Sequence, residues 1–145
     1  MSATLIVPCA QCDSLNRIPQ QRLNQQPKCG VCGSAVLVGK PIELSAQSYR
    51  AQIKGDVPLL GDVWASGCGP CRQFAPVVAQ AAEQLKGQCR LAKLNSEQEP
   101  NLSAQLGIRS IPSLILFKNG KEVARQSGAM PLPQLISWLK QQGIA

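Results

Sequence analysis

Histidine is absent from this 145-residue chain. That excludes a Ser-His-Asp triad, a Cys-His protease pair and every imidazole metal ligand. Any metal must be held by Cys, Asp or Glu, and any cysteine nucleophile must be activated without imidazole. Aromatic residues are scarce, at 3% against 44% hydrophobic residues overall. The core must therefore be built mainly from Leu, Ile, Val and Ala, and the length allows one ordinary core with a small appendage. No apolar run is long enough to span a membrane, so no membrane association is expected. The opening "MSATLIVPC" lacks a basic leader and has only a short apolar patch, Leu5 to Val7, so no secretion signal is expected. The expected location is the reducing cytoplasm, where structural disulfides are rare. Long basic runs are missing too. The net charge is +7, with four basic residues and one acid in residues 1–40, and eleven and seven in the rest. That even spread predicts a solvated basic surface and no nucleic-acid partner.

What the chain does have is sulfur, in two groups. Cys9, Cys12, Cys29 and Cys32 read C-x2-C-x16-C-x2-C, within the four-cysteine zinc pattern. Each pair can form a tight knuckle presenting two sulfurs on one side, with Gly30 and Gly33 supplying turns in the second. Two knuckles make a tetrahedral four-sulfur site that suits zinc. The alternatives are two disulfides or an iron–sulfur site. About 40 residues with few apolar side chains need such a metal to fold. Four thiolates would close the coordination sphere, so one structural zinc is expected. Val36 to Val38 is read as the module's last strand, and the boundary is placed at Gly39 to Pro41. The units are residues 1–40, a zinc-ribbon module, and residues 41–145.

The second unit alternates elements. "ELSAQSYRAQIK" reads as a short strand and a helix with Ser45 as N-cap. From Pro58 the apolar patterns give β-α-β-α-β-β-α: a strand through "PLLGDVW", a helix with Phe74, Val78, Ala81 and Leu85 on one face, and a strand through "CRLAKLN". A short helix from Pro100 follows, then the apolar strand "SLILF", an Asn-Gly hairpin and a final helix opened by Pro131. The expected fold class is α/β, a mixed sheet with helices on both faces.

Cys68 and Cys71 fall where the first of these strands passes into its helix, where α/β sheets place chemistry. A CxxC can hold zinc, form a structural disulfide or shuttle electrons. A thiolate at a helix N-terminus faces unpaired N–H groups and the positive end of the dipole, and both lower its pKa. Cys68 lies at that terminus and Cys71 one turn inside. Cys68 is thus the candidate attacker and Cys71 the resolving thiol, with Pro70 stiffening the turn. A third zinc knuckle would need two further ligands, and only Cys89 is left among the thiols. Cys89 itself reads as an inert buried thiol.

"VWASGCGPCRQFAP" resembles the active-site segment of the thioredoxin family. "AKLNSEQEPNLSAQLGIRSIPSLILFKNGK" resembles its central part, and "SGAMPLPQLISWL" its last turn and helix. The likeness covers residues 41–145. With the four-cysteine module in front, the chain is similar to zinc-containing, second-type bacterial thioredoxins. The resemblance implies a thioredoxin fold and a disulfide reductase with Cys68-Gly69-Pro70-Cys71 at its centre. It implies Asp62 as a buried carboxylate serving proton transfer at Cys71, with Lys93 near it. It implies Pro112 as a cis-proline that leaves the Ile111 backbone free to pair with a substrate strand. Gly128 and Ala129 would complete that groove, Pro76 would kink the helix, and Trp64 would pack beside the site. Taken alone, Asp62 could be a solvated strand-end acid, Lys93 a surface lysine and Trp64 a core residue.

The chain departs from the family at two positions. The tryptophan usual before the first active-site cysteine is Gly67, preceded by Ser66, and the usual aromatic before Trp64 is Val63. Losing an exposed indole removes partner contact, and glycine loosens the loop holding Cys68. Reduced efficiency or altered partners are expected. The implied partners are protein disulfides and a nicotinamide-dependent thioredoxin reductase, acting on a monomer. Two other functions stay open: a ribbon that recognises a partner, and a redox switch in which oxidised zinc thiolates release metal.

Overall fold

The computed structural model describes residues 3–144; Met1, Ser2 and Ala145, at the ends of the two expected units, lie outside the described residues. Two sheets organise the chain. The first is an antiparallel hairpin of β1 (Thr4–Pro8) and β2 (Leu15–Pro19), paired from Thr4↔Pro19 to Pro8↔Leu15. The turn between them is the first cysteine knuckle. There Cys9 N–H donates to Ser14 O at 2.8 Å and Asp13 N–H to Cys9 O at 3.0 Å. The second knuckle repeats this pattern, with Cys29 N–H to Ser34 O at 2.8 Å and Gly33 N–H to Cys29 O at 3.0 Å. Gly33 takes a left-handed conformation (φ 76°), the role Asp13 fills in the first knuckle (φ 67°).

The strand expected at Val36 to Val38 does not form. Only an isolated bridge, Lys28↔Ala35, is present. Val36 sends its N–H to Pro27 O and accepts Ala10 N–H at its carbonyl, so its hydrogen bonds go to two different segments instead of one ladder. Its apolar character serves burial: Val36 and Leu37 join Val7, Ile18 and Leu23 in the small ribbon core. The basic residues that lie apart in the sequence are gathered in space, since Arg17, Arg22 and Lys28 line one surface pocket.

The second sheet holds β3 (Ile42–Glu43), β4 (Leu59–Trp64), β5 (Arg90–Asn95), β6 (Ser113–Lys118) and β7 (Lys121–Ser127), in the order β3-β5-β4-β6-β7. The strands β3, β5 and β4 are parallel, and β6 and β7 are antiparallel to their neighbours. The helices are α1 (Tyr49–Ile53), α2 (Gly69–Gln84), α3 (Pro100–Gln105) and α4 (Leu132–Gln141). Ser45 and Ser48 make a reciprocal pair before α1: Ser45 Oγ accepts Ser48 N–H at 3.1 Å, and Ser48 Oγ accepts Ser45 N–H at 3.0 Å.

Side chains alternate across the sheet, and each face is covered. Leu60, Leu91, Leu114 and Leu116 pack with Phe74 and Val78 of α2 and with Leu135 and Leu139 of α4. Leu59, Val63, Ile115 and Phe117 pack on the other face with Ile53 and Leu102. By the same period of two, Asp62 shares the face of Leu60, and Lys93 that of Leu91. Both therefore lie on the face that α2 covers.

The ribbon is fastened to the larger sheet by polar groups. Ile6 N–H donates to Asp56 Oδ2 at 2.7 Å, and Asp56 N–H returns to Ile6 O at 2.8 Å. Gln52, 1% exposed, donates through Nε2 to Cys9 O at 2.9 Å and to Asp13 Oδ1 at 2.6 Å. Its Oε1 accepts from Arg90 Nη1 at 2.9 Å, and its backbone carbonyl from Arg90 Nη2 at 2.7 Å. Arg90 also donates to Val57 O.

Candidate functional site

Helix α2 begins at the first CxxC residue after Cys68 because Pro70 suits a first turn and Cys68 serves as its N-cap. Cys68 has extended backbone, and its sulfur accepts Cys71 N–H at 3.2 Å. Cys68 and Cys71 are joined in a disulfide, with Cα atoms 5.2 Å apart. Cys68 and Gly69 are half-buried, Pro70 is exposed, and Cys71 is 2% exposed. The accessible sulfur is therefore the one at the helix terminus. Pro76 lies inside α2.

Across from the disulfide, the Ile111–Pro112 peptide is cis. Cys68 Sγ lies 3.8 Å from Ile111 O. Pro112 is buried, and its carbonyl accepts Gly128 N–H at 2.9 Å. Gly128 has φ 94°, a conformation that favours glycine. Ala129, next to it, is exposed. The loop after β7 is thus tied to the cis-proline loop.

Asp62 is 0% exposed, and neither carboxylate oxygen has a hydrogen-bond partner among the described residues. Burial pushes its carboxyl up to about 6, while the positive charge of Lys93 pulls it back. Lys93 stands opposite Asp62 in the β4–β5 register. Its Nζ lies 4.3 Å from the centre of the Trp64 ring, a cation–π contact. The Trp64 indole Nε1 is buried without a hydrogen-bond partner among the described residues. Asp62, Lys93 and Trp64 therefore form one group on the α2 face. Cys89 is sealed, with burial pushing its thiol up to about 12, which fits the inert thiol expected.

At the other end of the chain the four remaining paired cysteines converge. All four sulfurs lie within 4.8 Å of one another. Cys9 and Cys32 are 3.7 Å apart, and Cys12 and Cys29 3.6 Å. A tetrahedral zinc with bonds of about 2.3 Å sets a sulfur–sulfur edge of about 3.8 Å, so the geometry fits such a metal. Backbone N–H groups of Gln11 and Val31 point at Cys9 and Cys29, at 3.3 and 3.4 Å. Asn16 Nδ2 reaches Cys29 Sγ at 3.5 Å while its Oδ1 accepts Gly30 N–H at 3.0 Å.

The site thus combines a strand-to-helix CGPC disulfide, a cis-proline facing it and, on the sheet face that α2 covers, a buried aspartate with no hydrogen-bond partner among the described residues. The thioredoxin family model matches residues 40–141. The chain belongs to the thioredoxin family. A second family model, described as the N-terminal part of thioredoxin 2 and named for a zinc ribbon, matches residues 8–34. Thioredoxin C-3 of Corynebacterium nephridii is 44% identical over 139 residues, 95% of each chain. The thioredoxin of Synechocystis is 41% identical over 99 residues, 68% of this chain and 92% of its own. That of Alicyclobacillus acidocaldarius is 45% identical over 92 residues, 63% and 88% respectively. This thioredoxin-family chain is a thiol–disulfide oxidoreductase that reduces protein disulfides through Cys68 and Cys71. No helix among the described residues is long and apolar enough to cross a membrane.

Reasoning from the sequence overlooked Ser66 as a contact, and it overlooked Glu97, Gln52 and Arg90 altogether. Glu97 Oε1 accepts both Ser66 N–H and Ser66 Oγ–H. These pairs are separated by 31 to 43 positions, and no local period or motif announces them.

Proposed function

We propose that Cys68 is the nucleophile and Cys71 the resolving thiol of a reductive cycle. The Cys68 thiolate attacks one sulfur of a substrate disulfide, forming a mixed disulfide and releasing the other sulfur as a thiolate, which takes a proton from solvent. Asp62 accepts the proton of Cys71, whose thiolate then attacks Cys68 Sγ. The substrate's second thiolate leaves, and the Cys68–Cys71 disulfide closes. The observation that carries this reading is the placement of the pair. The accessible sulfur caps α2 and the shielded one lies a turn inside, above a carboxyl whose raised pKa suits proton exchange near neutrality. Lys93 tempers that carboxyl. A substrate strand would pair with the backbone at Ile111, between Pro112 and the Gly128–Ala129 turn. Gly67, Gly69, Pro70 and Trp64 would shape the wall on the Cys68 side.

Residues 1–40 are read as a ribbon holding one structural zinc through Cys9, Cys12, Cys29 and Cys32, and residues 41–145 as the catalytic unit. Bound there, the metal would supply folding energy and take no part in the exchange. A thioredoxin reductase is the electron donor this reading implies, acting on a cytoplasmic monomer without a nucleic-acid partner. The test is an insulin-type disulfide reduction assay on the wild type and Cys68→Ser, with reductase and nicotinamide cofactor supplied. Loss of at least about a thousandfold of the rate is expected; equal rates would remove the reading.

A further inference from the structure

The glycine before the nucleophile raises the question of what holds that loop. Gly67 is exposed, and a Cβ built on it meets nothing within 4 Å. No side chain at position 67 anchors the approach to Cys68. Two neighbouring loops do so instead. They follow β4 and β5, which are adjacent and parallel. Ser96 N–H and Ser96 Oγ both donate to Trp64 O, at 2.8 and 3.0 Å. One step further out, Ser66 N–H and Ser66 Oγ both donate to Glu97 Oε1, at 2.7 and 2.8 Å. Glu97 is fixed in turn, because Asn95 Oδ1 accepts Glu97 N–H at 2.9 Å and Gln98 N–H at 3.4 Å. The chain from Ser66 to the sulfur is short, and Cys68 N–H closes back on Ala65 O at 3.2 Å.

We propose that Glu97 is a positioning residue for the nucleophile: by gripping Ser66 through both donors it holds the Ala65–Gly67 loop so that Cys68 Sγ stays aligned with Cys71 N–H. The sequence alone predicts a loop loosened by Gly67; the Ser66–Glu97 pair supplies the restraint from the other side. The Ser66 hydrogen bonds, hydroxyl first and then backbone, with a smaller contribution from Gly67 N–H, hold the Glu97 carboxyl below its ordinary value. It is therefore an ionised acceptor throughout the working range, and hydrogen bonds to an ionised acceptor are the strong ones. The proposal rests on the assignment of Cys68 as nucleophile.

Charge and position act on Cys68 with opposite signs, which makes the idea testable. A carboxylate near a thiolate disfavours it, so removing only the charge would lower the thiol pKa. Removing the grip would raise it, because the sulfur loses its alignment with the helix-terminal donor. Asp62, Lys93, Arg72, Glu99 and Arg109, the other charged groups on the surrounding elements, are the same in every variant and cancel from the comparison. The experiment uses the full, metal-loaded chain in reduced form. Iodoacetamide alkylation is followed across pH, with the label assigned to Cys68 by peptide mapping, alongside disulfide reduction.

For Glu97→Ala the alkylation midpoint is expected to rise by about half a pH unit, and reduction to slow about tenfold. Glu97→Gln keeps an oxygen acceptor of the same reach, so it should recover most of the rate and show no rise in midpoint. Ser66→Ala keeps the backbone bond alone and should fall between the wild type and Glu97→Ala. A midpoint that falls or stays put in Glu97→Ala would overturn the proposal, as would a Gln variant as slow as the Ala variant. Cys68→Ser separates the two layers. If it retains the wild-type rate, the nucleophile assignment fails whatever Glu97 does. If it is inactive while Glu97→Ala matches the wild type, only the positioning role fails.

Discussion

Asp62 is a carboxyl with no hydrogen-bond partner among the described residues, buried on the sheet face that α2 covers. Its pKa in the fold is about 6, raised by desolvation, against about 3.9 in the unfolded chain. Between those values the native state binds more protons than the unfolded one, so stability falls as pH rises from about 4 through 6 and stays lower above. The full shift corresponds to about 3 kcal/mol of stability lost at neutral pH. Asp62→Asn removes the titration and leaves a buried polar group. Relative to wild type, the variant should therefore gain about 2 kcal/mol between pH 4 and pH 8. Urea unfolding of both oxidised proteins at the two pH values measures it, and a constant difference would contradict the desolvation account. On the proposed cycle the same substitution should also slow closure of the Cys68–Cys71 bond, because Asp62 is there the proton acceptor of Cys71. In the sequence this residue is an acid in an apolar strand leading to a CxxC, and only the family resemblance implies a proton-transfer role for it. Its lack of a partner becomes visible only once β5 brings Lys93 alongside and Lys93 turns to the Trp64 ring.

Among the elements, those built from long apolar patterns could be read before folding. The strands β4, β5 and β6 and the helices α2 and α4 fall where runs and periods place them, because each must bury a face against another layer. The Val36 to Val38 segment has the same composition as a strand and is not one. Apolar side chains record burial, whereas a strand also needs a continuous ladder partner, which the short ribbon does not offer it. The seam between the ribbon and the larger sheet is similarly silent in the sequence, and Gly55 is its tightest point. A Cβ there would lie 2.5 Å from Arg90 Nη2 and 2.8 Å from Pro8 Cδ. The proline ring is part of β1 and cannot turn aside. Gly55→Ala should cost about 1–3 kcal/mol and weaken the seam while leaving the Cys68–Cys71 turn intact. Thermal unfolding together with the oxidised protein's insulin-assay rate after reduction would show it; an unchanged midpoint would mean the seam can yield.

Over the whole molecule, the four-cysteine cluster and the larger sheet are linked through shared hydrogen bonds. Gln52 donates to the carbonyl of Cys9, the first cysteine of the cluster, on one side and holds Arg90, at the start of β5, on the other. Arg90 has no carboxylate partner among the described residues, and burial lowers its guanidinium to about 10. Loss of the ribbon's order would leave that cation with fewer acceptors. Removing metal with a chelator from the reduced protein should lower the thermal midpoint of the larger sheet by about 5 °C, and in Gln52→Leu the same treatment should move it less. A larger sheet whose midpoint ignores the chelator would rule the coupling out. Neither this coupling nor the gathering of Arg17, Arg22 and Lys28 can be read along the chain, since both depend on segments that only the fold brings together. The burial of Cys89 has a practical consequence of a different kind. On the proposed ligation the four clustered sulfurs, that of the exposed Cys32 among them, are held by metal, while Cys71 is shielded and Cys89 is closed off in the core. With its metal bound, a molecule with seven cysteines therefore offers an electrophile a single free thiol, and a dye, crosslinker or mechanism-based trap added to the reduced, metal-loaded form should label Cys68 without any other cysteine having to be engineered away.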